Sequence, residues 1–341
     1  MAKINAKYFG ILVKLMVVAV SRAAVPPEDY WKSRLPNTPM PIAVRELLVP
    51  GMLDKKVAYV VVGKGGVHVN AGKRKSGHTS VDVVHKGVTV STGRKKRRTT
   101  VNVGPAFQYT YAATETQIHD NHDVAVFFLE KDLRPGTTMN LHFTRTSSNA
   151  AFLPRSVTNS IPFSSKRLPD ILSLFSVRSD SPEAEAMQKT LRECEEAASA
   201  GETRYCATSL ESMVDFSSAS LGTRDVRALS TEVSKEGTPR QPYTITPSGV
   251  QRLIGSKAVA CHAQPFAYAV FYCHVTRATK AYLVSLAGQD GAKVDAVVVC
   301  HSDTSSWNPK HLAFQLLQVK PGTVPVCHFL PQDHVVWASR R

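Results

Sequence analysis

The chain has 341 residues, with 42 Lys plus Arg against 27 Asp plus Glu, a net charge of +15, and six cysteines. Beyond the N-terminus no stretch approaches the ~18 apolar residues of a membrane span, which excludes a polytopic membrane protein. The basic balance favours polyanionic partners: nucleic acid, acidic lipid headgroups or acidic polysaccharide.

Residues 1–23 have the layout of a secretory signal peptide. Lys3 and Lys7 precede an apolar run from Phe9 to Val20, interrupted by Lys14, and Ser21-Arg22-Ala23-Ala24 offers small residues for cleavage after Ala23. Segment 24–53 contains Pro26-Pro27 and Leu35-Pro36-Asn37-Thr38-Pro39-Met40-Pro41. These prolines predict an extended path, with one short helical turn over Ala43 to Leu48.

Residues 54–106 form a basic Val/Gly-rich arm. Pieces such as Val67-His68-Val69 and Val88-Thr89-Val90 look like a degenerate repeat. Each is too short in apolar length to bury a face, so the arm is expected to be flexible. From Asp54 to Arg98 twelve Lys or Arg stand against Asp54 and Asp82, so +10 of the chain's +15 lies here. Two clusters, Lys73-Arg74-Lys75 and Arg94-Lys95-Lys96-Arg97-Arg98, are the candidate polyanion-binding residues. A secreted chain does not meet the nuclear-import machinery, and no aromatic residues interleave with the basic ones as a single-strand binder requires. Acidic cell-wall polysaccharide such as pectin is therefore the expected partner, and nucleic acid is not.

From Phe107 the composition is that of a folded domain. Strands are expected over Val124 to Leu129 and Thr137 to Thr144, around the turn Asp132 to Gly136. Ser181-Pro182-Glu183 starts a helix that should run to about Ala200 and stop at Gly201. Thr208 with Glu211 makes a capping box for a second helix, ending before Gly222. Cys194 on the first helix and Cys206 just ahead of the second are placed to staple this helical hairpin. After a polar link, Ser230 to Arg240, strands are expected over 258–261, 267–274, 281–286, 293–301, 311–317 and 323–329. Gly288-Gln289-Asp290-Gly291 is a hairpin turn between two of them. The fold class is thus α+β: a β-rich C-terminal domain with a disulfide-stapled helical hairpin, preceded by the flexible basic arm.

The dipeptide Cys-His occurs four times, at Cys261-His262, Cys273-His274, Cys300-His301 and Cys327-His328, with ten, twenty-five and twenty-five residues between successive pairs. Successive side chains on a strand point to opposite faces, so a Cys and the His after it do not readily bind one ion together. Zinc modules also use Cys pairs two to four residues apart. A division of labour suits the pattern better, with cysteines on one face as disulfides and histidines on the other converging on a metal. Imidazole ligands without thiolate suit Cu(II), Zn(II) or Ni(II). Six cysteines allow fifteen pairings, and the spacing does not choose among them.

Closed by Trp337 eight residues after the last pair, this array resembles the signature of the plant BURP domain, over about residues 120–339. Supporting segments are Phe127-Phe128-Leu129-Glu130, Cys206-Ala207-Thr208-Ser209-Leu210-Glu211-Ser212-Met213 and Trp307-Asn308-Pro309-Lys310-His311. The stretch from Tyr30-Trp31 to Pro41 and the Val/Gly arm look like the dehydration-responsive subfamily. The resemblance implies a secreted protein of the apoplast or cell wall, with the vacuole as the alternative. The family includes a non-catalytic polygalacturonase subunit, so wall proteins such as polygalacturonase are possible partners. It also includes copper-dependent enzymes that cross-link a core peptide in their own chain. Carried over residue by residue, copper is the implied cofactor. Its candidate ligands are His262, His274, His301 and His328, with His311 and His334 in second rank, and the cysteines are implied disulfides. The variable region here holds Tyr30, Trp31 and Tyr59 but no repeated Gln-Pro-…-Trp unit. The expected function is a non-catalytic stress-response protein that binds acidic polysaccharide. A copper-dependent peptide cyclase is the alternative.

Overall fold

A computed structural model describes residues 25–48, 127–145, 150–198, 202–253, 257–276, 279–305 and 307–340, with the backbone of five strands between 58 and 101. The proline-rich segment departs from its expected extended path. Pro26 is the N-cap and Pro27 the first residue of helix α1 (Pro27–Arg34), where the missing N–H has no intrahelical partner to lose. Glu28 and Asp29 in its first turn, and Lys32 and Arg34 in its last, suit the helix dipole. The expected turn follows as α2 (Ile42–Arg45).

The basic arm carries five strands. β1 (Ala58–Gly63), β2 (Gly66–Lys73), β3 (Gly77–Val84), β4 (Gly87–Thr92) and β5 (Arg98–Val101) pair in sequence order as an antiparallel meander. The Val-X-Val alternation supplies the strand period, and backbone pairing between neighbours does not need the apolar length that seemed to be lacking.

The domain begins with β6 (Phe127–Leu129) and β7 (Thr138–Leu141), then α3 (Arg155–Thr158), α4 (Leu168–Leu174) and α5 (Pro182–Glu195). The Ser181 hydroxyl caps α5 by accepting from the Ala184 N–H at 3.2 Å. The helix stops at Glu195, short of the expected Ala200. β8 (Glu202–Ala207) precedes α6 (Leu210–Leu221), whose cap is Ser209 with Ser212 rather than Thr208 with Glu211. Gly222 ends α6 at φ +69°, a conformation that favours glycine.

Then come β9 (Val226–Leu229), β10 (Glu232–Val233), β11 (Gln241–Arg252), β12 (Ala258–Gln264), β13 (Val270–Thr276), β14 (Thr279–Gly288), β15 (Lys293–His301), α7 (Leu312–Leu317), β16 (Val326–Phe329) and β17 (Val335–Ser339). The strand expected over 311–317 is thus helix α7. Its apolar run is too short to show a period, and the His311 imidazole caps it by accepting from the Ala313 N–H.

Two antiparallel sheets carry the domain. One runs β6-β16-β15-β14-β11-β7 with β10 paired to β15, and the other runs β8-β13-β12-β17-β9. They face each other across a layer of Ala258, Ala260, Val336 and Ala338 from one, and Ala281, Val297, Val299 and Leu330 from the other. The outer face of the five-stranded sheet packs Cys261, Cys273, Phe271 and Trp337 against α6 and the N-terminal segment. The outer face of the seven-stranded sheet buries Cys300, Cys327, Tyr243, Ile245 and Val284. The α+β class with a β-rich C-terminal domain holds. Among the described residues no helix is long and apolar enough to cross a membrane.

The N-terminal segment is part of this body. Trp31 is 2 % exposed and its ring lies 5.4 Å from that of Trp337. Leu35, Ala43, Val44, Leu47 and Leu48 are buried in the same layer. The segment's polar groups are matched as well. The Phe152 N–H donates to the Leu47 carbonyl at 2.8 Å, the Thr38 hydroxyl donates to the Val226 carbonyl at 2.6 Å, and the Arg340 guanidinium donates to the Asn37 carbonyl at 2.6 Å.

Candidate functional site

The six cysteines form three disulfides. Cys261 and Cys273 are direct cross-strand partners on β12 and β13, as are Cys300 and Cys327 on β15 and β16, and in both pairs the Cα atoms are 4.0 Å apart. Cys194 joins Cys206 at a Cα separation of 5.7 Å. Cys206 lies on β8, so that staple ties helix α5 to a strand rather than to the next helix.

The strand period puts the neighbouring histidines on the opposite face from each cross-strand disulfide. Both disulfides lie in the outer cores, whereas His262, His274, His301 and His328 point into the layer between the sheets. There they meet in pairs. His262 Nε2 is 3.1 Å from His274 Nε2, and His301 Nε2 is 3.4 Å from His328 Nε2. His334, five residues after the end of β16 and just ahead of β17, joins the first pair, its Nδ1 2.9 Å from His262 Nδ1. The chain of contacts ends at Glu202 on β8, whose carboxylate is 2.9 Å from His274 Nδ1. Around the second pair stands an aromatic wall. Trp307 has ring centroids 5.0 Å from His301 and 4.7 Å from His311, and Phe127 lies beside His311 and His328.

Burial favours the neutral form of His262, His301, His311, His328 and His334. His262 and His311 are 3 % exposed, His328 2 % and His334 0 %. Burial, the largest cause in each case, pushes His301 down to about 3 and His311, His328 and His334 to about 4. His262 falls well below the ordinary histidine value, by burial first and then by the charges of His334, His274 and His301. Tautomers follow from the fixed partners. The Phe329 carbonyl, 3.2 Å from His328 Nδ1, accepts that proton and leaves the Nε2 lone pair facing His301. His311 Nδ1 accepts from the Ala313 N–H, so its Nε2 carries the proton in the neutral ring.

The donor set fits a transition ion in two respects. Neutral imidazole is the ligating form. Two nitrogens bound at about 2.0–2.1 Å to one ion stand roughly 2.8–3.4 Å apart, the size of the three separations found here. Among the described residues, however, no three His, Cys, Asp or Glu side chains already surround a common point. His262 turns one nitrogen to His334 and the other to His274, so its contacts form a chain rather than a cage.

Sequence reasoning named all six histidines but missed Glu202 and the packing of Trp307 against His301 and His311. Glu202 joins them only through the pairing of β8 with β13, which no local pattern announces; Trp307 was visible in its motif, without a role. Of the candidate polyanion-binding residues, Lys73 ends β2 and Arg98 begins β5. Arg74, Lys75, Arg94, Lys95, Lys96 and Arg97 lie outside the described residues, as does the expected signal peptide.

The BURP domain family matches residues 126–339, more than half of the chain. The chain belongs to the BURP domain family. Its relatives are plant proteins. It is 60 % identical to BURP domain-containing protein 3 of Oryza sativa subsp. japonica, covering 95 % of this chain and 96 % of that protein. It is 45 % identical to BURP domain protein RD22 of Arabidopsis thaliana, covering 96 % and 97 %. BURP domain-containing protein 5 of the same rice subspecies is also 45 % identical, covering 94 % and 89 %. The expected likeness to the dehydration-responsive subfamily is met by the RD22 match, which spans the variable region as well as the BURP domain.

Proposed function

We propose that this BURP protein is secreted to the plant apoplast or wall, holds copper in its inter-sheet imidazole cluster, and does not modify its own chain. The observation that supports copper binding most is the convergence of histidines from both sheets on one layer. His262, His274 and His334 form one candidate ligand group and His301 with His328 the other. Copper bound there would supply one-electron oxidation. The protein's own contribution is to keep His262, His301, His328 and His334 neutral by burial, and to orient His274 through Glu202 and His328 through the Phe329 carbonyl.

The burial of Trp31 speaks against self-modification. Tyr30 and Trp31 are the aromatic residues nearest in kind to a core-peptide acceptor. Trp31 packs under Trp337, its indole N–H donates to the Thr38 carbonyl at 2.7 Å, and the Tyr30 hydroxyl donates to Asp215 at 2.9 Å. Neither ring is presented to a metal between the sheets, on the far side of the five-stranded sheet.

The test is to express the chain without residues 1–23, load it with Cu(II), and measure metal content and the electron paramagnetic resonance spectrum. Stoichiometric type 2 copper, lost when His262 and His274 become alanine, is expected. A tryptic map made under air should show no peptide lighter by two hydrogens. Copper retained no better than by an unrelated histidine-containing protein overturns the reading.

A second reading, binding of acidic polysaccharide, draws support from the meander. Lys73 pairs with Gly77, Thr92 with Thr79, and Arg98 with Ser91, so the strand ends next to both basic clusters lie at one end of the sheet. Retention on polygalacturonate should drop sharply when Arg94 to Arg98 are neutralised. Unchanged retention removes this reading and leaves copper binding untouched.

A further inference from the structure

The matched family region begins at residue 126, yet the folded body begins a hundred residues earlier. Segment 27–48 fills a groove made by α6, β9, β17 and the residues around Phe152. Its anchors are of three kinds. Trp31, Leu35 and Val44 are buried against Leu210, Met213, Val226 and Trp337. The Leu47 carbonyl, the Thr38 hydroxyl and the Asn37 carbonyl bond to Phe152, Val226 and Arg340. A charged hub completes the seat. Asp215 on α6 accepts from the Tyr30 hydroxyl at 2.9 Å, from Arg34 at 2.9 Å and from Arg155 at 2.6 Å. Two of these three donors come from the segment and the third from α3, so one carboxylate joins segment to domain.

We propose that residues 27–48 are a built-in peptide ligand of the domain, held by this groove independently of the covalent link that follows. The contacts cover both helices of the segment and the turn between them, and β9 is the terminal strand of its sheet. A Trp buried between facing surfaces, ringed by matched polar groups, is the arrangement of a binding hot spot. Region 49–126 joins the end of the seated segment to β6 of the same body. A proteolytic cut ahead of the meander would leave a two-chain protein with the segment still seated.

The test places a viral-protease recognition site within residues 50–57 of the otherwise complete mature chain. After cutting, the N-terminal piece should elute with the large piece in native gel filtration and separate from it in concentrated guanidinium chloride. Trp31→Ala should release the piece in native buffer while far-ultraviolet circular dichroism of the large piece stays unchanged. If Trp31→Ala prevents folding of the intact chain, a labelled synthetic peptide of residues 27–48 replaces it. Added in excess to the cut wild-type protein, it should exchange into the large-piece peak, whereas its Trp31→Ala form should not. Loss of the wild-type piece in native buffer, or exchange that ignores Trp31, overturns the proposal.

Discussion

The neutral histidine layer gives the BURP domain a steep dependence on pH. His262, His311, His328 and His334 are almost fully buried; burial holds the last three down to about 4 and His262 well below its ordinary value, so the fold takes up no proton on them near neutrality. An unfolded histidine titrates near 6.5. Their folded values are depressed, so the stabilisation is complete above about 6.5 and is lost as pH falls toward about 4. Between about pH 7.5 and about pH 5.5 each such residue costs ~1.4 kcal/mol, because only the unfolded chain gains the proton. Four give an upper bound of ~5.5 kcal/mol, against a whole-domain stability of roughly 5–15 kcal/mol. Glu193 acts in the opposite sense. Burial raises its carboxyl, so its native form gains stability as the pH falls, which offsets part of one histidine's loss. The assay is urea unfolding of chelator-treated protein at three pH values across this window, followed by tryptophan fluorescence. A fall of at least ~3 kcal/mol is expected on this linkage, with unchanged urea slope. His328→Gln combined with His334→Gln should flatten the dependence. A midpoint that does not move across the window would mean that these rings are solvated or charged in the fold, and the electrostatic reading of the layer would fail.

Two further outcomes concern the scaffold. Replacing Cys300 and Cys327 together by alanine opens a loop closed over a sequence separation of 27, against 12 for Cys261 and Cys273. Loop-closure entropy puts the losses at ~3.6 and ~2.9 kcal/mol, so guanidinium midpoints should fall more for the first pair; the reverse order would show that entropy is not the governing factor. Gly249→Ala places a Cβ 2.6 Å from the Ser285 carbonyl and 2.5 Å from the Thr246 hydroxyl, where β11 shifts register against β14. A loss of about 1–3 kcal/mol is expected in thermal unfolding, and a neutral result would mean that the bulge gives way freely.

How far the sequence carried depended on the range of the interaction. The facing of Cys and His was legible because the strand period is local and rigid. The helix start at Ser181 was legible because its cap lies within three residues. α7 was not, since a six-residue run with five apolar residues fits a strand or a helix equally until His311 is seen to cap it. Ser209 displaced Thr208 as a cap by one position, its hydroxyl accepting from the Ser212 N–H at 3.1 Å. The seating of Trp31 under Trp337 spans some three hundred residues and leaves no local trace. The prolines ahead of α1 read as an extended path although Pro27 at the first helical position, with Glu28 and Asp29 after it, is also a local helix start.

The repeated dipeptide acquires a physical meaning from the register. Cys261 lies opposite Cys273, so His262 falls beside Tyr272 and His274 beside Ala260, one residue to either side of the disulfide. Cys300 lies opposite Cys327, so His301 falls beside Val326 and His328 beside Val299, the same diagonal again. Diagonal neighbours on an antiparallel pair are within reach for long side chains, and both diagonals bring Nε2 atoms to 3.1 and 3.4 Å. A slip of one residue would turn the histidines out of the layer and the cysteines into it. Each disulfide therefore does more than shorten the unfolded chain. Set on the outer face, it fixes the register that places two imidazoles on the inner one, and a Cys followed at once by a His is the shortest sequence able to do both.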